Sequence, residues 1–152
     1  MYQWNVEKCL KLFDEVYVSS EKEEILQEAK AMGAIPIKRP DNLCGDTPNI
    51  PVYQHALQFM GNVDGIVAVQ ANSPTIFPGI IASVKRFLLN ECSEVMTCHP
   101  DGKIYGSVWA MTKERLLNYG NPYKPTPEVL LVDESIDIHT AEDLNQALCQ
   151  SI

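Results

Sequence analysis

Ile66-Val67-Ala68-Val69-Gln70-Ala71-Asn72-Ser73-Pro74 decides how the rest of the chain is read. A short apolar run, mostly β-branched, stops abruptly at a polar Gln-Ala-Asn-Ser-Pro. The run is too short for a helix, so it predicts a strand buried on both faces. Strands of that kind occur in parallel sheets covered by helices. Ligands of such open sheets bind just beyond the carboxyl ends of the strands. Gln70, Asn72 and Ser73 stand at that place.

The chain has 152 residues, 45% of them apolar and 21% charged, which is enough to fill one ordinary core. A single domain over residues 1–152 is expected. The net charge of −8 argues against a nucleic-acid partner, because phosphate binding wants a basic face. No apolar run approaches membrane-spanning length, and no basic-then-apolar signal opens the chain. The five cysteines (Cys9, Cys44, Cys92, Cys98, Cys149) are odd in number and form no C-x-x-C pair. They read as reduced thiols of a cytoplasmic protein. Cys98-His99 lacks the second pair that a closed zinc site needs.

Outward from the opening strand, periodicity alternates between helix and strand. Val6, Cys9, Leu10 and Phe13 recur at helical spacing. Val16-Tyr17-Val18 predicts a strand, and Ser20-Glu-Lys-Glu23 predicts a capping box. The helix behind it carries Ile25, Leu26, Ala29 and Met32 inward and ends at a left-handed Gly33. Ala34-Ile35-Pro36-Ile37 predicts an edge strand, since Pro36 has no ladder donor. Arg39 to Pro48 is loop by composition. Pro48 to Met60 predicts a helix with Val52, Ala56, Leu57 and Phe59 or Met60 inward.

Pro78 opens a helix through Ile81, Val84, Phe87 and Leu88. Strands are expected at Ser93 to Cys98, Ile104 to Met111 and Val129 to Val132. Thr112 caps a short helix bearing Leu116 and Leu117, and the stretch from Tyr119 to Pro127 is a surface loop. Ile136-Asp137-Ile138-His139 alternates, which sets Asp137 and His139 on one face. Thr140-Ala-Glu-Asp143 caps a last helix that buries Leu144, Ala147 and Leu148. Strands alternating with helices imply βαβ units and a mostly parallel sheet.

No phosphate-cradling glycine motif is present. His55 reads as a partly exposed helix histidine. Three clusters remain. Arg39, with Asp46 in the same loop, offers a guanidinium able to clamp a phosphate or carboxylate with two prongs; composition alone makes it a solvated loop arginine. Gln70-Ala-Asn72-Ser73-Pro74 suits either a ligand or plain turn chemistry. Asp137 stands where a carboxylate can hold a magnesium completed by water and phosphate, or where a polar loop residue precedes a capped helix.

Tyr2-Gln-Trp-Asn-Val-Glu, Phe13-Asp-Glu-Val-Tyr-Val-Ser-Ser20, Gly33-Ala, Arg39-Pro-Asp-Asn-Leu, Asp46-Thr47, His55-Ala56, Gln70-Ala-Asn-Ser-Pro74 and Ile136-Asp-Ile-His-Thr-Ala-Glu-Asp-Leu144 come in the order and spacing of the acylneuraminate cytidylyltransferases. The chain resembles that family over nearly its whole length. The resemblance implies a three-layer Rossmann-like nucleotidyltransferase fold. It implies transfer of CMP from CTP to a sugar acid such as a sialic acid, with Mg2+. Arg39 and Asp137 then carry catalysis, Gln70, Asn72, Ser73 and Asp46 bind substrate, and Asp137 with His139 takes the metal site. The partners implied are a nucleotide and a sugar acid, not nucleic acid and not a membrane.

The sequence also departs from that pattern. The family's first strand, with its nucleotide-holding loop rich in Gly, Arg, Ser and Lys, is missing, and Met1 falls where the family's first helix begins. His139 replaces a second aspartate, although imidazole suits hard magnesium poorly. Thr75 and Ile76 stand where an arginine often follows Ser-Pro. Turnover is therefore expected to be very weak or nil. The alternative is a catalytically degenerate sugar- or nucleotide-binding or assembly module. A missing central strand would leave a gap of about 9.6 Å, two strand spacings, between Val16–Val18 and Ile66–Val69. Proteins avoid bare apolar edges. The two strands are expected to pair directly, or the gap to be filled by another chain, a homo-oligomer included.

Overall fold

Ile66–Val69 forms a strand, but only Ile66 is buried, while Val67, Ala68 and Val69 are half-exposed. The reason lies in what stands beside it. The computed structural model describes residues 1–150; the last two positions of the expected 1–152 domain lie outside the described residues. The elements in chain order are α1 (Tyr2–Leu12), β1 (Tyr17–Ser20), α2 (Glu23–Met32), β2 (Ile35–Lys38), α3 (Asn49–Leu57), β3 (Gly65–Val69), α4 (Pro78–Leu89), β4 (Glu94–Cys98), β5 (Ile104–Thr112), α5 (Lys113–Leu117), β6 (Val129–Val132) and α6 (Ala141–Gln150). No described helix is long and apolar enough to cross a membrane.

The strands form two sheets. β1 and β2 pair in parallel, and the other sheet has the order β3-β5-β4-β6. Within it β4 and β6 are parallel, while β5 runs antiparallel to both β3 and β4. The result is a mixed α/β, Rossmann-like architecture, the fold class that the family resemblance implies, and the mostly parallel sheet that the alternation predicts is interrupted by β5, which runs antiparallel to both its neighbours. β2 lies at an edge, as Pro36 requires. Direct pairing of β1 with β3 does not occur: β1 bonds to β2 and β3 to β5. A slot of about 740 Å³ separates them, lined by Val16 to Ser19 on one side and Gly65 to Gln70 on the other. β3 loses burial because it has one neighbouring strand instead of two.

Helices cover both faces of the larger sheet. α1 and α4 bring Cys9, Ile81 and Val84 against Val95, Val108 and Ala110. α3 and α5 bring Ile50, Leu57 and Leu116 against Ile66, Met96, Trp109 and Met111 on the other face. Each fully buried aliphatic side chain contributes about 1.5–3 kcal/mol. α1 also packs Val6 against Ala29 of α2 and Ala34, so one helix touches the supports of both sheets.

Local expectations hold in part. Gly33 ends α2 at φ +102°, the left-handed turn its position required. The Ser20–Glu23 capping box does not form. Ser20 stays in the β1–β2 ladder, where its carbonyl accepts from Arg39 N, and its hydroxyl accepts from Lys22 N at 3.1 Å, so α2 begins only at Glu23. Phe59 and Phe87 are exposed, and Met60 and Leu88 take the inward positions. Residues 136–139 join neither sheet. Thr140 and Asp143 cap α6 reciprocally, but that helix buries Ala147 and leaves Leu144 and Leu148 partly open.

Candidate functional site

Pro40 restricts Arg39 to extended backbone, which carries β2 one residue past its last pair. The Arg39 guanidinium turns back onto β1. Its Nε donates to Ser19 Oγ at 3.2 Å and its Nη2 to Ser19 O at 2.9 Å. Tyr53 rises from α3 beside it, and Gln70 Nε2, just past β3, donates to the Tyr53 hydroxyl at 3.1 Å. Burial pushes the Tyr53 phenol far above its usual range, while the Arg39 charge and the Gln70 hydrogen bond pull it back. The carboxyl ends of β1, β2 and β3 thus meet at one mouth of the slot.

Two residues further on, a second group begins. Asn72 Nδ2 donates to Asp137 Oδ1 at 2.6 Å, and Asn72 O accepts from Ile138 N at 2.9 Å. Asp137 Oδ2 meets His139 Nε2 at 2.6 Å. Tyr105, from β5, bonds the Ser73 hydroxyl and also Asp137. Its phenol is pushed up to about 12, chiefly by burial. The His99 ring stacks on it, with centroids 4.4 Å apart.

α1 holds the loop between the two groups. Asn5 Nδ2 donates to Gln70 O at 2.8 Å and Ser73 O at 3.1 Å, and Lys8 Nζ donates to Pro74 O at 2.5 Å. The loop also makes the turn bonds its composition suits, Ser73 N to Gln70 O and Ile76 N to Ser73 O. The turn-chemistry reading of Gln70–Pro74 is therefore realised in this segment.

The sequence-derived candidates divide accordingly. Arg39 and Gln70 share the first group, and Asn72, Asp137 and His139 share the second. Ser73 is fully buried behind Tyr105, so it orients that phenol and offers nothing to a ligand directly. Asp46 is exposed in its loop, and the Arg39 guanidinium turns to Ser19 instead. The expected metal pair is found as a hydrogen-bonded pair. One Asp137 oxygen faces the Asn72 amide and the other faces the His139 ring. Among the described residues no three His, Cys, Asp or Glu side chains converge as a metal cage. These residues do not fit a resident metal ion.

Three site neighbours escaped the sequence reading. Tyr53 and Tyr105 look like ordinary apolar positions with a polar tip. Asp133 is buried at the end of β6, held by the Ser107 hydroxyl and by Ser135 N at 3.0 Å. The rule that picked Gln70, the first polar residue beyond an apolar strand, would have found Asp133 as well.

The strand order and the covering helices define a mixed α/β, Rossmann-like architecture. The chain is similar to CMP:2-keto-3-deoxy-manno-octonic acid synthetase complexed with CTP, at 13% identity and a TM-score of 0.78, over 99% of this chain and 88% of that one. It is also similar to a Mycobacterium tuberculosis H37Rv protein in complex with manganese (13%, TM-score 0.69, 97% and 84%). A third is 4-diphosphocytidyl-2C-methyl-D-erythritol synthase from Anaerococcus prevotii (12%, TM-score 0.70, 97% and 84%). At such identities the likeness shows the fold. No family model matches the chain, and no curated protein matches it in sequence.

Proposed function

We propose that the chain binds a cytidine nucleotide and a sugar acid at the rim formed by Arg39, Tyr53, Gln70, Asn72 and Asp137, in the manner of a cytidylyltransferase. The observation that carries the reading is the meeting of Arg39 and Gln70 over Tyr53 at the carboxyl ends of β1 to β3, where open α/β sheets bind ligands. Arg39 is held to Ser19 through Nε and Nη2, which aims the guanidinium before any ligand arrives and spares ordering entropy. A carboxylate or phosphate is the anion its planar fork suits. Gln70, fixed by Tyr53, and Asn72, fixed by Asp137, supply neutral donors and acceptors for sugar hydroxyls.

Transfer itself would be attack of a sugar hydroxyl on the α-phosphorus of CTP with pyrophosphate leaving, a step served by positioning and charge neutralisation. Among this chain's own residues Arg39 neutralises charge and Asp137 orients Asn72 and Tyr105. A divalent ion such as magnesium would have to arrive with the nucleotide, since Asp137 is already occupied by Asn72 and His139.

A second reading, a sugar- or nucleotide-binding module without turnover, is favoured by that occupied carboxylate. Calorimetry with CTP and magnesium, and with 3-deoxy-octulosonic and sialic acids, tests the binding. Pyrophosphate release tests the turnover. CTP binding lost in Arg39→Ala supports the proposal; no binding of either ligand class by the folded chain overturns it. Pyrophosphate release that vanishes in Asp137→Ala selects the enzyme, and binding without release selects the module.

A further inference from the structure

Taking the rim as the proposed nucleotide and sugar-acid site, we infer that Asp133 is its positioning residue. The buried carboxylate ties a bulged part of β5 to the segment after β6, and so fixes Gln70 and Asp137 together.

The ladder between β4 and β5 breaks where the rim begins. Glu94, Val95 and Met96 pair with Met111, Ala110 and Trp109 in regular register, yet Cys98 pairs with Ile104. Residues 105–108 of β5 therefore stand opposite Thr97 alone. Bulges of this kind re-aim side chains beside functional sites. The Thr97 hydroxyl fills the break, accepting from Val108 N at 3.1 Å and donating to Tyr105 O at 2.6 Å. The bulge aims the Tyr105 hydroxyl at Ser73 and Asp137 and the Ser107 hydroxyl at Asp133. The Ser107 carbonyl accepts from Gln70 N at 2.9 Å.

Asp133 closes the arrangement from the other side. Its Oδ2 accepts from the Ser107 hydroxyl and from Ser135 Oγ at 2.5 Å, and its Oδ1 from Ser135 N at 3.0 Å. The last bond is an Asx turn, which leads the chain out of β6 so that Ile136 N reaches Thr75 Oγ1 at 2.8 Å and Ile138 N reaches Asn72 O at 2.9 Å. The contacts form a closed ring. It runs from Asp133 to Ser107 and Gln70, along the chain to Ser73, across to Tyr105 and Asp137, and back along the chain to Asp133. Among the described residues no cation pairs with Asp133. A buried carboxylate in that position is tolerable only with its lone pairs taken up by donors. The donors here come from two segments, so satisfying them fixes the distance between those segments.

Amide-resolved hydrogen exchange on the full chain tests this, with urea midpoints to follow global stability. Asp133→Ala should speed exchange at the Gln70, Ile136 and Ile138 amides by about tenfold beyond what the midpoint accounts for, the scale of one buried hydrogen bond. Asp133→Asn should return those amides to within about threefold of the parent, because the Ser107 and Ser135 hydroxyls can accept from its amide where they donated to the carboxylate. Should Asp133→Ala not fold, Ser107→Ala replaces it, with the same acceleration expected at Gln70. Equal acceleration at every amide would mark a residue that only stabilises the fold and would overturn the proposal. So would unchanged exchange at Gln70 and Ile138, or an Asn variant as fast as the Ala variant, which would assign the role to charge. In calorimetry, affinity for CTP or for the sugar acid should fall by about tenfold in Asp133→Ala and recover in Asp133→Asn; unchanged affinity also overturns the proposal. A folded parent chain that binds neither ligand refutes the rim as a ligand site instead, and exchange then decides by itself whether Asp133 holds Gln70 and Asp137.

Discussion

Replacing Glu94 by alanine should be the most damaging single carboxylate deletion in this chain. Glu94 sits on β4, 1% exposed, and holds three donors. Trp109 Nε1 reaches it at 2.9 Å, the Tyr119 hydroxyl at 2.7 Å and Arg115 Nε at 3.1 Å. Alanine strands the indole N–H of Trp109, itself 4% exposed, at about 1–3 kcal/mol. Tyr119 and Arg115 are only half-buried, and Arg115 keeps Thr126 Oγ1 at 2.7 Å, so they recover part of their loss in water. The cavity left by the side chain adds to the cost, and relief of the buried charge subtracts from it. Removing one member of such a buried pair costs about 3–5 kcal/mol, and the partial recovery places Glu94→Ala near the lower end, about 3 kcal/mol. With a urea m-value of about 2 kcal/mol/M for a domain of this size, the midpoint should fall by about 1.5 M at constant m. Glu94→Gln, which keeps the shape and one acceptor, should lose less. Glu128→Ala, exposed and bonded to Ser93, should leave the midpoint in place. A Glu94→Ala midpoint within 0.5 M of the parent, roughly 1 kcal/mol at that slope, would show that the network is replaceable by water and that the reasoning is wrong.

Three further outcomes follow from particular contacts. Arg39→Lys keeps the charge but loses the fork held by Ser19, and calorimetry should show CTP affinity reduced by about 10-fold or more, on the scale of a charged hydrogen bond; unchanged affinity would remove Arg39 from the site. Burial raises the Cys9 thiol from 9.0 to about 11, and burial with the Glu94 bond raises the Tyr119 phenol from 10.0 to about 12. Both groups hold their protons more tightly when folded, so their stabilisation is complete below about pH 9 and is lost as pH climbs through 11 to 12; urea midpoints at pH 8, 10 and 11 should fall in that order, less steeply in Tyr119→Phe. Gly65→Ala would place a Cβ 2.7 Å from Met111 O and 3.1 Å from Thr112 Cα, both backbone. The β3–β5 pair must then part, and a melting curve should show a loss of about 1–3 kcal/mol.

Periodicity was enough to place most of the elements, because apolar spacing reports burial directly. The failures share one cause, which is information held by a distant partner. Ser20 has the composition of a helix cap, yet the β2 strand claims its carbonyl. Val67 to Val69 have the composition of a doubly covered strand, yet they are half-exposed because β3 does not pair with β1, whose Val16–Ser19 wall, 48 or more positions away in sequence, stands across the slot. Arg39, Gln70 and Asp137 could be named from their places after strands. Asp133, directly after β6, was legible by the same rule, whereas Tyr53 and Tyr105 could not be separated from ordinary core positions, because their roles depend on Gln70 and Ser73 arriving from other segments.

The first helix is made before anything it grips. Asn5 waits for carbonyls 65 and 68 residues downstream, and Cys9 waits for α4 and the larger sheet, whereas Val6 finds Ala29 and Ala34 early. During synthesis β1, α2 and β2 can assemble as a local unit with that helix half-docked. α1 is thus the splint across the divide: if it frays, the two sheets part as separate cooperative blocks, and the chain should melt in two steps.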